Sequence, residues 1–65
     1  EHSILKKIVA RAFNQRRKML RSSLRGISPN LLNKLEKANI SPTKRAEEIS
    51  IREYCNLANI IGPIP

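Results

Sequence analysis

The sequence predicts an all-α domain of four or five short helices. Three observations carry that expectation. Apolar residues recur at helical spacing along nearly the whole chain, and no run alternates with the two-residue period of a strand. Helix-ending and helix-starting residues punctuate it at short intervals: Gly26, Ser28-Pro29, Ser41-Pro42, Ser50 with Glu53, and Gly62-Pro63. At 65 residues there is room for one small domain. A domain of that size buries only about 60% of the surface it exposes unfolded, so its stability should be marginal.

The first stripe is Leu5, Ile8, Val9, Ala12 and Phe13, with Ser3 available as an N-cap. At about 100° per residue it stays in phase with Met19, Leu20 and Leu24. A single helix over 3–25 and a helix broken at Asn14 are therefore both allowed. Gly26 stands where a left-handed C-cap is expected. Ser28 as N-cap and Pro29 at the first helical position predict the next helix, because proline's missing N–H costs nothing there. Leu31, Leu32, Leu35 and Ala38 supply its buried face, and the Ser41-Pro42 turn stops it. Residues 43–49 read as one helical turn or a tight loop. Ser50 and Glu53 form the S-x-x-E capping box of the last helix. Tyr54, Leu57, Ala58 and Ile61 lie on one face of that helix, and Gly62-Pro63 ends it, leaving 62–65 as a frayed tail. The expected core gathers Phe13, Leu20, Leu24, Leu35, Tyr54 and Leu57.

Composition narrows the function. Thirteen Lys/Arg against five Asp/Glu give a formal charge of +8 and a sequence pI near 10.7. That balance predicts attraction to polyanions, nucleic acid first and an anionic membrane surface second. The charge is clustered, since the first 25 residues hold eight of the thirteen cations and only one acid. The apolar run 60–64 is far shorter than the roughly 20 residues of a membrane span. A single cysteine, Cys55, fits a reducing compartment, and the chain is read as cytoplasmic and monomeric.

Catalytic chemistry finds no support. The only glycines, Gly26 and Gly62, make no phosphate or cofactor loop. His2 and Cys55 stand alone, with no further ligand at metal-binding spacing. Core packing is the favoured role for Cys55. The acids Glu36, Glu47, Glu48 and Glu53 read as helix-start charges and ion-pair partners rather than as an acid–base pair.

The basic cluster is the informative feature. With Arg16 as zero on a helical wheel, Arg17, Lys18, Arg21 and Arg25 fall between roughly 100° and 200°. Met19, Leu20 and Leu24 fall between roughly 300° and 80°. The segment is expected to bury one face and present a ridge of cations on the other, extended by Lys7 and Arg11 if the helix is continuous. No acid lies at i±3 or i±4 to neutralise the row, so phosphate binding outweighs a merely solvated face. Arginine forks suit such a groove because each can grip two oxygens. Arg16 itself points into the apolar arc, where it needs a carboxylate, and Glu47 is the expected partner. Phe13 and Tyr54 are the only aromatics. Phosphate and shape contacts to a folded RNA are therefore favoured over reading stacked bases.

The run AFNQRRKMLRSSL at 12–24 resembles the C-terminal domain of the bacterial small-subunit rRNA adenine dimethyltransferase family, which reads A-F-x-Q-R-R-K-T-L-R-N-S-L there. A second stretch, ISPTKRAEEIS at 40–50, is similar to that family's I-D-P-x-x-R-A-E-N-L-S. YCNLAN at 54–59 looks like its final helix. The departures are Met19 for the usual threonine, Ser22 for asparagine, Ser41 for aspartate and Glu48 for asparagine. None removes a cation from the R-R-K run. The resemblance implies a helical domain that seats a larger enzyme on rRNA and the assembling small ribosomal subunit. The parent would carry a separate N-terminal methyltransferase domain, using S-adenosylmethionine to dimethylate two adjacent adenines near the 3′ end of the rRNA. Neither a cofactor motif nor an N-[LI]-P-[YF] catalytic motif lies in these 65 residues, so the fragment alone is expected to be inactive.

Two other readings compete. Residues 28–61 meet the loosest description of a helix-turn-helix DNA binder, although Arg52 is the only cation after Ser50. A membrane-surface amphipathic helix over 3–25 would lack tryptophan and leave the other segments without a role.

Overall fold

The computed structural model describes residues 2–62, and the tail expected at 63–65 lies outside them. The domain is all-helical, with α1 His2–Asn14, α2 Leu20–Ser23, α3 Leu31–Lys37, a 3₁₀ turn Ala46–Glu48, and α4 Ile51–Ile61. Among the described residues there is no strand, only an isolated antiparallel bridge between Met19 and Arg45.

Helix α1 buries Ile4, Ile8 and Ala12, one residue per turn, while Leu5 and Val9 flank them half-buried. The buried row is thus rotated towards Ile4 relative to the expected stripe. Ser3, read as an N-cap, lies in the first turn. The rotation carries Phe13 to the margin, where it is 47% exposed and outside the core it was expected to join. Its ring rests beside Tyr54 instead, with centroids 6.3 Å apart and planes tilted at 44°.

The chain breaks at Asn14, one of the two arrangements the pattern allowed. Residues 15–18 form a turn, Met19 is extended (φ −64°, ψ 152°), and α2 is four residues long. So short a helix cannot hold itself, because one turn costs more conformational entropy than its hydrogen bonds return. What holds it is burial of Leu20 and Leu24, both 0% exposed, together with pairing to a distant loop. Leu20 N–H donates to the Lys44 carbonyl at 2.7 Å, and Arg21 N–H donates to the Pro42 carbonyl at 3.1 Å. Gly26 takes φ +85°, the left-handed conformation expected of it.

Helix α3 begins later than Ser28-Pro29 implies. Its N-cap is Asn30, in the left-handed region at φ 56°, a position asparagine tolerates better than most residues. The Ser28 hydroxyl is engaged by Lys34 Nζ instead. Of the expected buried face, Leu35 and Ala38 are buried and Leu31 is half-buried, but Leu32 is 58% exposed. The helix lies on α4 with the Leu35 side, which turns Leu32 outward.

Helix α4 follows its local signals closely. Ser50 Oγ accepts from Glu53 N–H at 3.1 Å, and Glu53 Oε1 accepts from Ser50 N–H at 2.9 Å, completing the capping box. Tyr54, Leu57 and Ala58 are buried. The Tyr54 hydroxyl donates to the Ala46 carbonyl at 2.7 Å, pinning the 3₁₀ turn to the helix. Gly62 caps the end at φ 73°. The single core therefore joins α1, α2, α3, the 3₁₀ turn and α4, and contains Leu20, Leu24, Leu35, Tyr54 and Leu57 as expected.

Candidate nucleic-acid interface

The cations singled out by the sequence do not sit on one helical face. Arg16, Arg17 and Lys18 occupy the turn between α1 and α2, closed by Lys18 N–H to the Gln15 carbonyl at 2.9 Å. Arg21 lies on α2, and Arg25 follows in the turn that Gly26 ends. All five are exposed. The expected helical ridge is therefore a basic loop wrapped around a short helix. The wheel assumed helical phase across residues 15–19, where the backbone is in fact a turn and then extended.

Arg11 has a structural task. Its Nη1 donates to the Arg25 carbonyl at 3.0 Å and ties α1 to the end of the basic segment. A guanidinium held there satisfies a carbonyl of the turn just beyond α2. Lys7 is exposed and shares a shallow concavity with Ala10, Arg11, Gly26 and Ile27, away from the R-R-K turn.

The Arg16–Glu47 pair does not form. Both residues are exposed, and among the described residues no ion pair joins them. Arg16 was placed on the apolar arc by the same helical phase that the turn interrupts. In the turn its guanidinium reaches water without crossing the core.

Two cations were missed by sequence reasoning. Pairing of residues 19–21 with 42–45 brings the loop that carries Lys44 and Arg45 against the basic segment. In sequence they lie far from the cluster and next to Glu47 and Glu48, so nothing local distinguishes them. Glu48 is turned back on its own loop, its Oε1 accepting from Arg45 N–H at 2.8 Å. Glu53 is held below the usual carboxylate range, chiefly by the Ser50 backbone N–H, then by the Ser50 hydroxyl, with a smaller contribution from the Lys44 charge. It thus stays a cap anion. Among the described residues, none of the cations at 16–18, 21 and 25 enters an ion pair with a carboxylate. A surface of this kind, basic and uncompensated, is what a phosphate backbone would neutralise.

The helix-turn-helix reading fits the geometry poorly. Helices α3 and α4 are separated by residues 38–50, including the 3₁₀ turn, where the DNA-binding arrangement uses a tight turn of about 3–4 residues. No helix among the described residues is long and apolar enough to cross a membrane.

Comparison with known proteins points one way. A ribosomal RNA small subunit methyltransferase A from Ruegeria sp. is 55% identical over 56 residues, which is 86% of this chain and 20% of that protein. The protein of the same name from Cereibacter sphaeroides is 54% identical over 60 residues, 92% of this chain and 22% of its own length. The one from Paracoccus denitrificans is 48% identical over 63 residues, covering 97% of this chain and 22% of the relative. The resemblance read from the three motifs is thereby borne out. The chain spans about a fifth of the length of the curated relatives it matches. No family model matches it, and no solved structure matches it.

Proposed function

We propose that residues 1–65 are the C-terminal docking domain of an S-adenosylmethionine-dependent rRNA adenine N6,N6-dimethyltransferase, seating the enzyme on small-subunit rRNA and the assembling small ribosomal subunit in the cytoplasm. The observation that carries this reading is the exposed basic loop at 16–25 on a segment about half identical to small-subunit rRNA methyltransferases. Arg17, Lys18, Arg21 and Arg25 grip phosphates. Arg11 holds the loop in place, and Arg16 and Lys7 add to the field around it.

Catalysis and cofactor binding belong to the N-terminal methyltransferase domain of the parent. The residues present here do not fit S-adenosylmethionine. Both glycines of the chain, Gly26 and Gly62, are spent on helix ends, and no glycine-rich loop meets a helix start. The methyl transfer to two adjacent adenines is the chemistry of that parent, as the family resemblance implies, and no step of it passes through these side chains.

The test is a salt titration of binding to small-subunit rRNA, with duplex DNA of matched length as competitor. Four phosphate contacts at roughly 0.7 to 0.9 released counterions each give a log–log slope near −3. Reversing Arg17 and Lys18 to glutamate should weaken binding at least about tenfold while leaving helix content unchanged, since both lie off the core. Wild-type affinity in that folded variant would reduce the loop to a solvated surface. Preference for the duplex would favour the DNA-binding reading instead.

A further inference from the structure

Leu32 has no part in the core, yet it is a large apolar side chain 58% exposed on α3. It sits where two surface concavities meet. One is lined by Arg21, Arg25 and neighbouring polar residues, the other by Glu36, Pro42 and Lys44, and Leu32 lines both. Arg21, which lines the first, donates its N–H to the carbonyl of Pro42, which lines the second, in the pairing that zips α2 to the 42–45 loop. Together they form a groove beside α3, with Arg21 and Arg25 lining one part, Lys44 the other, and the exposed Leu32 common to both. Along the lining stand three cations against one carboxylate, Glu36.

We infer that this groove seats a stretch of RNA backbone, with Arg21 and Arg25 on phosphates along one part, Lys44 on a phosphate along the other, and Leu32 against a base face. The inference rests on the docking reading above and extends it from a basic loop to a two-segment site. Charge complementarity chooses the occupant: a groove lined by three cations and one carboxylate, on a face continuous with the exposed basic loop at 16–18, takes the phosphate polyanion that loop takes. Base faces are apolar surfaces that come regularly spaced between phosphates, which suits an exposed leucine standing among cations. The pairing of residues 19–21 with 42–45 brings the Lys44 part of the groove beside α2. Lys44 therefore joins the site through tertiary structure rather than through the R-R-K run.

The two kinds of contact leave different signatures. In binding of the chain to small-subunit rRNA across a salt series, Lys44→Glu should lower affinity and also shrink the salt slope by about one. Leu32→Ala should lower affinity by roughly three- to tenfold with the slope unchanged, because it removes packing and no charge. Both residues are exposed, and alanine favours a helix more than leucine does, so the fold is expected to survive. Lys6→Glu on α1, an exposed cation outside the groove, is the control for net charge. Wild-type affinity in Leu32→Ala, or a Lys44→Glu loss no larger than that of Lys6→Glu, would overturn the groove. If the Arg17/Lys18 reversal still weakens binding in that case, the docking reading stands alone. If wild type binds no rRNA, both fall.

Discussion

Helix α4 and the segment 15–23 look alike as sequence and differ as structure. Both carry apolar residues at helical spacing, and both are flanked by residues that start or stop helices. In α4 the signals are local and agree: the Ser50–Glu53 box supplies the first N–H partners, and Tyr54, Leu57 and Ala58 face the core. In 15–23 the same spacing is present, but the N–H groups of Leu20 and Arg21 go to carbonyls more than twenty residues away, at Lys44 and Pro42. The helical pattern of residues 16–24 places Leu20 and Leu24 correctly without requiring a helix between them and α1. Periodicity reports which side chains want burial. It does not report where the backbone finds its partners.

The comparison can be tested by removing what holds each region. Leu20 is fully buried and anchors a segment that cannot stand as a helix alone, so Leu20→Ala should cost about 3 kcal/mol by chemical denaturation. In a domain this small that approaches the whole stability. The amides of Leu20 and Arg21 should also lose hydrogen-exchange protection together with those of α4. If they exchange freely in the wild type while α4 stays protected, the pairing to residues 42–44 does not hold the segment and the contrast collapses.

A smaller effect is expected at the local end of the comparison. Ser50→Ala removes the hydroxyl of the capping box and should cost about 1 kcal/mol. The same box gives a pH dependence. Glu53 has its folded-state pKa lowered, so the stabilisation is present above its unfolded pKa and is lost as pH falls through the folded value, below the ordinary carboxylate range. Glu53→Gln should flatten that acid limb in thermal melts recorded across pH. An unchanged limb would remove the carboxylate from the account.

The smallest effect is assigned to Glu47. Exposed and without an ion pair to Arg16, it should tolerate alanine within about 0.5 kcal/mol in the same denaturation measurement. A loss near the roughly 3 kcal/mol expected for stranding a buried partner would restore the pair.

Much of the fold is legible from residues whose signals are short-range. Gly26, the capping box, the 3₁₀ turn and five of the six expected core residues follow from local pattern. The misplacements share one cause, a phase carried too far. Counting Phe13 with Leu5 and Val9 rotated the α1 stripe away from Ile4, and continuing that phase past Asn14 sent Arg16 inward. Leu32 was counted inward because a run of leucines does not say which side meets α4. The candidate interface was half visible. The R-R-K run announces itself by charge density, whereas Lys44 and Arg45 reach it only through a backbone pairing that no spacing rule contains.

The hydroxyl of Tyr54 on the Ala46 carbonyl has an optical consequence. The chain holds one tyrosine and no tryptophan, so beyond the weak, shorter-wavelength band of Phe13 its near-ultraviolet absorption is that of Tyr54. Burial, and to a lesser extent the charge of Glu53, raise that phenol above the ordinary tyrosine range. Because the protonated form is favoured by folding, its ionisation and the loss of the fold are linked as pH climbs. The phenolate band then serves as a built-in dye for the contact between the 3₁₀ turn and the last helix, readable without any label and in the presence of RNA wherever the absorbance windows separate.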